Sequence, residues 1–270
     1  SQREIFHAGN AKKQRKQGIF ININFFCASQ REIFHAGNAK KQRKQGIFRN
    51  VNFFCNLSVK LINMEHIIHL TKDKKFKKII ELQEPVALGK RKNVYLHLCN
   101  SIMSQQLSTK VADVFQRRFL ALYNTKNPSA AEIAATPFET LRGIGLSNAK
   151  ANYVLNVCNF FIEEKITDAR LYRMSNEELI DYLTRIKGVG RWTVEMILMF
   201  TLGREDVFAV DDLGIQQAIC KLYKIDSTDK KGMKEQMLIV SKKWSPYRTY
   251  ACRYLWGWKD TPPPPLKGGT

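Results

Sequence analysis

The sequence predicts an all-α protein, and three observations lead to this fold class. From Met64 onward, apolar residues recur at the three- and four-residue spacing of amphipathic helices. Ser129 and Ser175 are each followed three positions later by glutamate, the capping-box pattern that opens a helix. Strand patterns are sparse outside residues 1–63. We therefore expect a bundle of helices joined by short turns.

The individual helices follow from this periodicity and from the turn residues that interrupt it. A long apolar stretch is expected to break into two helices near Ser104–Ser108, where polar residues intervene. A turn is expected at 141–145, because two glycines occur there. The predicted helical segments are 67–82, 95–123 in two parts, one from Ser129, one from Pro137, 147–163, one on each side of the glycines at 188 and 190, 213–222, 232–243 and 246–258.

The charge balance points to a polyanionic partner. The 270 residues include 44 Lys plus Arg and 24 Asp plus Glu, a formal net charge of +20. Residues 1–63 hold 12 basic and 2 acidic side chains, so this stretch is the most basic part of the chain. Such a balance is typical of proteins that bind nucleic acid. No run of 18 apolar residues occurs, so we expect no membrane span.

The first 56 residues are a tandem repeat. Residues 1–28 and 29–56 differ at only three pairs of positions: Ile21/Arg49, Ile23/Val51 and Ala28/Asn56. Two copies are too few to bury a solenoid core, so we expect residues 1–63 to lie outside the fold, as translated upstream sequence. The alternative is a basic arm that contacts DNA. The proline-rich segment 260–270 is expected to be a disordered tail.

A helical hairpin is predicted around Gly188 and Gly190. Glycines let the backbone adopt positive φ and approach another chain closely. The second helix begins at this turn, and its free N–H groups and positive dipole end form an anion site. Lys187 and Arg191 flank the turn, which suits a DNA phosphate. The alternative is an ordinary glycine cap inside a bundle.

Two aspartates, Asp211 and Asp212, precede the helix predicted at 213–222. Aspartate at a helix start is usually the N-cap. We expect Asp211 to hold this position, or to share it with its neighbour. Capping does not explain why the pair follows the glycine hairpin closely in the sequence, with Asp212 lying 22 residues after Gly190.

The segments 186–193 (Ile-Lys-Gly-Val-Gly-Arg-Trp-Thr) and 206–213 (Asp-Val-Phe-Ala-Val-Asp-Asp-Leu) resemble the helix-hairpin-helix (HhH-GPD) DNA glycosylase superfamily, most closely its 3-methyladenine DNA glycosylase II branch. The resemblance implies a domain at 64–259 with two helical lobes. One lobe spans about 94–203, and the other combines 64–93 with 204–259. The cleft between the lobes would hold Asp212 as the catalytic carboxylate. Ala209 and Lys187 stand where the family often has proline.

The resemblance also assigns roles to other residues. Gln105 would lie near the base pocket, and Gln106 would plug the gap left in the base stack by the extruded base. Trp192 and Trp256 would line the pocket, where indole rings stack on positively charged alkylated purines. The hairpin residues that would bind the DNA backbone are Lys187, Gly188, Val189, Gly190, Arg191 and Thr193.

Two features of the sequence indicate the branch of the family: the residue at position 192 and the number of C-terminal cysteines. Bifunctional members carry a lysine nucleophile where this chain has Trp192, so the resemblance implies a monofunctional hydrolase without AP lyase activity. Only Cys220 and Cys252 occur in the C-terminal region, so the four-cysteine iron–sulfur cluster of another branch is not expected. We expect no cofactor and no metal, although hairpin carbonyls could hold a monovalent cation. His66 and His69 lack a partner ligand in the sequence and are expected at the surface.

The resemblance implies an enzyme of base excision repair that flips out alkylated purines of the 3-methyladenine type and hydrolyses the N-glycosidic bond. Two alternatives stay open: a non-catalytic DNA-binding module built on the same hairpin, and a glycosylase for deaminated or oxidised bases. The expected partner is double-stranded DNA with damaged bases, without a membrane. We expect a monomer that is cytoplasmic and nucleoid-associated in a bacterium, or nuclear in a eukaryote.

Overall fold

The computed structural model describes residues 64–260, which divide into two compact units. One unit comprises residues 89–204, and the other comprises 64–88 together with 205–260. The tandem repeat and the proline-rich tail, apart from its first residue, lie outside the described residues. Residues 64–260 form thirteen α-helices and contain no strand, which confirms the predicted all-α class.

The unit 89–204 contains eight of these helices. They are α3 (Val94–Ser104), α4 (Thr109–Leu120), α5 (Ala130–Ala134), α6 (Phe138–Gly143), α7 (Asn148–Glu163), α8 (Asp168–Arg173), α9 (Asn176–Leu183) and α10 (Arg191–Phe200). The long helix α7 packs against α3, α5 and α6. Helix α10 packs against α3 and α9, and every residue from Thr193 to Phe200 is buried. Helix α10 therefore lies in the core of this unit, and only its first two residues, Arg191 and Trp192, are not fully buried.

The other unit contains the remaining five helices. They are α1 (Glu65–Leu70), α2 (Lys74–Ile80), α11 (Leu213–Tyr223), α12 (Lys230–Lys242) and α13 (Arg248–Asp260). Helix α11 packs against α12 and α13, and α13 also packs against α2. Trp244 is completely buried, with its ring centroid 5.1 Å from that of Phe76. An aromatic core thus joins the loop before α13 to α2.

The local signals in the sequence are confirmed at several helix starts. Ser129 with Glu132 and Ser175 with Glu178 form complete capping boxes. The break near Ser104–Ser108 separates α3 from α4, and the Ser108 side chain caps α4. Among residues 64–260, no helix is long and apolar enough to cross a membrane.

Three expectations were wrong. The segment 67–82 is two helices, because Asp73 caps α2 with its side chain and so starts a new helix. Helix α8 was missed because Leu171 is its only buried residue, which leaves no apolar period to detect. His66 is 2% exposed rather than at the surface, and its ring stacks on Tyr250 with centroids 4.0 Å apart. This burial lowers the pKa of His66 to about 4.

Candidate functional site

Asp212 is the N-cap of α11 and is completely buried. Its backbone is extended (φ −71°, ψ 121°), and its Oδ1 accepts a hydrogen bond of 2.9 Å from the N–H of Ile215. The expectation that Asp211 holds or shares the cap is wrong, because the helix begins at Leu213 and the cap is the residue immediately before it. Asp211 instead pairs with Lys234 Nζ at 2.5 Å, with both side chains nearly half exposed. Only one carboxylate of the pair is therefore buried.

Trp256 on α13 holds the same carboxylate. Its indole Nε1 donates a hydrogen bond of 2.9 Å to Oδ1 of Asp212, and the side chain is 2% exposed. Gly214 makes room for this contact, since a Cβ there would lie 3.1 Å from Oδ1 and 3.2 Å from Trp256 Cδ1. The stacking role implied for Trp256 stays a prediction. Its hydrogen bond to Asp212 is a role that the sequence did not reveal.

This arrangement can stabilise a positive charge. Charged carboxylates are rarely buried unless hydrogen bonds hold them, and here a helix N-terminus and an indole N–H both donate to one oxygen of Asp212. Two unit charges 4 Å apart attract by about 4 kcal/mol at an effective dielectric constant of 20. A cation that develops next to this carboxylate would gain much of that energy.

The glycine hairpin joins α9 to α10. Gly188 has φ +102°, and a Cβ there would lie 2.2 Å from Cγ of Tyr153, so only glycine fits this position. The N–H of Val189 donates to the carbonyl of Ile186 at 3.0 Å, which closes the turn. Gly190 is the N-cap of α10 and provides no side-chain cap. Gly190 therefore gives the first N–H groups of α10 no capping side chain. A helix end binds phosphate through these N–H groups, so the absence of a side-chain cap suits a phosphate site.

The two cations of the hairpin are in different surroundings. Arg191 makes ion pairs with Glu177 at 3.3 Å and with Glu195 at 3.1 Å, and the Glu195 side chain is only 4% exposed. Its charge is therefore already balanced within this unit. Lys187 is exposed. The roles predicted for both residues at the DNA backbone stay predictions, and Lys187 has the less compensated charge.

The glutamine pair lies at the end of α3. Gln105 is half-buried, and its Nε2 donates to Oγ1 of Thr193 at 3.4 Å, which links it to the first turn of α10. Trp192, the residue before Thr193, is also half-buried. Gln106 is exposed and has φ +60°. The structure thus brings Gln105 to a hairpin residue and leaves the Gln106 side chain at the surface.

Sequence reasoning missed Lys150 on α7. The sequence predicted only a turn at 141–145 and a helix at 147–163 around this residue. In the structure, the Lys150 ammonium donates to the main-chain carbonyls of Met103 at 2.9 Å and Gln105 at 2.7 Å. Burial lowers the pKa of Lys150 to about 8. The partners lie more than 40 residues earlier in the sequence, so no local pattern could have indicated them.

The predicted residues fall into two sets. Asp212 and Trp256 lie in contact within the unit that includes 205–260, whereas Gln105 and Thr193 lie in contact within 89–204. The cleft that would unite the two sets stays a prediction. Within residues 64–260 no group of three or more His, Cys, Asp or Glu side chains is arranged to hold a metal ion. A monovalent cation at the hairpin carbonyls also stays a prediction.

Comparison with known proteins relates this geometry to a family. The sequence profile described as "HhH-GPD superfamily base excision DNA repair protein" matches residues 99–245. DNA-3-methyladenine glycosylase 1 of Schizosaccharomyces pombe is 37% identical over 195 residues, which cover 70% of this chain and 84% of that protein.

Two solved structures are similar in fold. The structure of the Schizosaccharomyces pombe 3-methyladenine DNA glycosylase in complex with abasic DNA matches with a TM-score of 0.64 and 35% identity, over 71% of this chain and 95% of that one. The crystal structure of the DNA-3-methyladenine glycosidase of Bacillus halodurans matches with a TM-score of 0.65 and 32% identity, over 73% and 90% of the two chains.

Proposed function

Because the chain belongs to the HhH-GPD superfamily of base excision DNA repair proteins, we propose that it is a DNA glycosylase that releases alkylated purines from double-stranded DNA. The observation that carries the proposal is the carboxylate of Asp212, which is buried and held by two donors. A protein that only binds DNA needs a basic surface and does not need a buried carboxylate. The relatives named as 3-methyladenine glycosylases support alkylated purines as the substrate class.

The chemistry follows from the charge that develops during the reaction. The bond between C1′ and the purine nitrogen breaks with its electron pair going to the base. An N-alkylated purine is positively charged beforehand, so it leaves as a neutral molecule and needs little acid catalysis. The sugar becomes positively charged, and Asp212 stabilises it electrostatically. Water then bonds to C1′, and Asp212 accepts the proton that this water loses.

The base must leave the duplex before this reaction, because its glycosidic bond is shielded within the stack. Trp192 and Gln105 are proposed to receive the extruded base, since both are half-buried and belong to neighbouring segments of one unit. An indole ring favours an electron-poor, cationic base. Trp256 is proposed to serve the pocket mainly through Asp212, because its N–H is already donated to that carboxylate.

We further propose that the enzyme is monofunctional and has no AP lyase activity. Trp192 has no amine, so it cannot form the Schiff base on which strand cleavage depends. Duplex DNA incubated with the enzyme should keep its strands intact until alkali or heat is applied. Strand breaks at lesion sites before that treatment, on a denaturing gel, would contradict this part of the proposal.

DNA binding is proposed to use the hairpin. The N-terminus of α10 would receive a phosphate, and the exposed Lys187 would add a positive charge. The proposed substrate is damaged duplex DNA, bound by a monomer. The proposed location is the compartment that contains the genomic DNA, which is the cytoplasm in a bacterium and the nucleus in a eukaryote.

The test of the proposed function is release of free base from methylated duplex DNA by the full chain, identified by chromatography. We expect 3-methyladenine or 7-methylguanine in the soluble fraction, with none from unmethylated duplex. The same chain after heat denaturation is the control for spontaneous depurination. Retained DNA binding without release of any methylpurine would favour the non-catalytic module, and release only from deaminated or oxidised DNA would favour the other glycosylase class.

A further inference from the structure

Lys150 closes the C-terminal end of a helix from a distant part of the chain. The last carbonyls of an α-helix have no intrahelical donor, and a cation near them is favoured by the helix dipole. In α3 these groups include the carbonyl of Met103, and the Lys150 ammonium binds it together with the carbonyl of Gln105, the C-cap residue. Hydrogen bonds from a charged donor are stronger than those between neutral groups.

The turn that follows is conformationally demanding. Gln106 has φ +60°, a region that costs a residue with a side chain about 1 kcal/mol or more. The chain is fixed before this residue by Lys150 and after it by Ser108, whose side chain accepts from the N–H of Val111 to cap α4. The Gln105–Gln106 turn is therefore held from both sides while the Gln106 side chain is exposed.

The same face of α7 also contacts the hairpin. Tyr153, three residues after Lys150, lies against Gly188. Asn156, three residues further, donates from Nδ2 to the carbonyl of Lys187 at 3.2 Å. Residues three apart lie on one side of a helix. One face of α7 thus sets the position of the Gln105–Gln106 turn relative to the hairpin, within a single unit.

We propose that Lys150 is a positioning residue for base extrusion, which fixes the Gln105–Gln106 turn so that Gln106 can fill the gap in the base stack. This inference rests on the proposed function, because it requires a base to leave the duplex. A side chain that is ordered before DNA binds loses less conformational entropy when it enters the stack. Lys150 acts through the turn and does not contact the base.

The test compares Lys150→Met with the wild type on one lesion in two settings. Methionine keeps the length and apolar stem of the side chain but cannot donate to the two carbonyls. The single-turnover excision rate should fall about 10- to 100-fold for a lesion paired in duplex DNA, as expected from the loss of charge-assisted hydrogen bonds. For the same lesion in an unpaired bulge, where extrusion costs little, the rate should change less than about threefold.

Two controls separate positioning from folding and from charge. Lys150→Arg can still donate to both carbonyls and should recover most of the duplex activity. Lys126→Met removes an exposed lysine from the same unit and should leave both rates unchanged. Equal losses on paired and bulged lesions, or no loss at all, would overturn the proposal.

A spectroscopic signal keeps the inference distinct from the proposed function. With 2-aminopurine placed beside the lesion, base extrusion by the wild type should raise the fluorescence, and Lys150→Met should reduce that increase. If the wild type releases no methylpurine, the proposed function fails, and this signal still decides whether Lys150 positions the turn. An increase that is the same in both proteins would overturn the inference even if the wild type is active.

Discussion

Removing the indole N–H from Trp256 tests how the candidate carboxylate is held. Trp256→Phe keeps a buried aromatic ring on α13 but deletes the donor that lies 2.9 Å from Oδ1 of Asp212. The N–H of Ile215 still donates to the same oxygen, so the helix cap remains and the carboxylate loses one of these two donors. The expected result is a slower reaction with unchanged DNA binding.

The size of this effect follows from the bond that is lost. Hydrogen bonds to charged groups contribute about 1.5–3 kcal/mol, and each 1.36 kcal/mol changes a rate tenfold. If the bond is needed for Asp212 to face the sugar, the single-turnover rate should fall about 10- to 150-fold. The affinity for duplex DNA with an abasic-site analogue should change less than about threefold, because neither group belongs to the hairpin.

The matched control is Trp244→Phe in the same unit. Trp244 is completely buried and packs near Phe76 and Phe208, so the substitution removes the same atoms without touching Asp212. Both variants should lose about 1–3 kcal/mol of unfolding free energy, measured with denaturant. An excision rate for Trp256→Phe within twofold of the wild type, or equal rate losses in both variants, would refute the reasoning.

Two further predictions concern stability. Gly188→Ala should lower the free energy of unfolding by about 2–4 kcal/mol, because φ at this position is +102° and the new Cβ would meet the Tyr153 ring. Gly190→Ala should change the free energy of unfolding by less than about 1 kcal/mol, because φ there is −96° and the space around the new Cβ is open. Equal effects of the two substitutions in denaturant titrations would show that the turn geometry is wrong. Burial lowers the pKa of His66 from 6.5 to about 4. Between these pH values the imidazole is protonated in the unfolded chain and neutral in the folded chain, so the free energy of unfolding falls as the pH drops from 6.5 toward 4. Between pH 7.5 and pH 5 this loss is about 2 kcal/mol, and it should be absent in His66→Phe; the same pH dependence in variant and wild type would contradict the assignment.

Local sequence signals predicted much of the helical framework. Ser129 and Ser175 open helices because their hydroxyls satisfy N–H groups that lie only three residues away. The hairpin was predictable because Gly188 requires positive φ, which glycine alone adopts without strain. Short helices such as α8 escaped detection because a single buried residue defines no period.

The site was less predictable, since its key contacts join residues far apart in the chain. The cap belongs to Asp212 rather than to Asp211, and this depends on the single residue at which α11 begins. The bond from Trp256 to Asp212 spans 44 residues, and the one from Lys150 to Gln105 spans 45. Periodicity and capping patterns describe neighbours within one or two turns and carry no information on such pairs.

The central claim is that the buried carboxylate of Asp212 carries the reaction. The most direct measurement is the single-turnover rate of methylpurine release by Asp212→Asn, beside Asp211→Asn as the matched change at the exposed neighbour. Asparagine can still accept the hydrogen bond from Ile215 but has no negative charge. We expect Asp212→Asn to lose at least about 1000-fold in rate, corresponding to about 4 kcal/mol of charge stabilisation, with DNA binding intact. Asp211→Asn should stay within about threefold of the wild type, and a small loss at Asp212, or a larger one at Asp211, would contradict the claim.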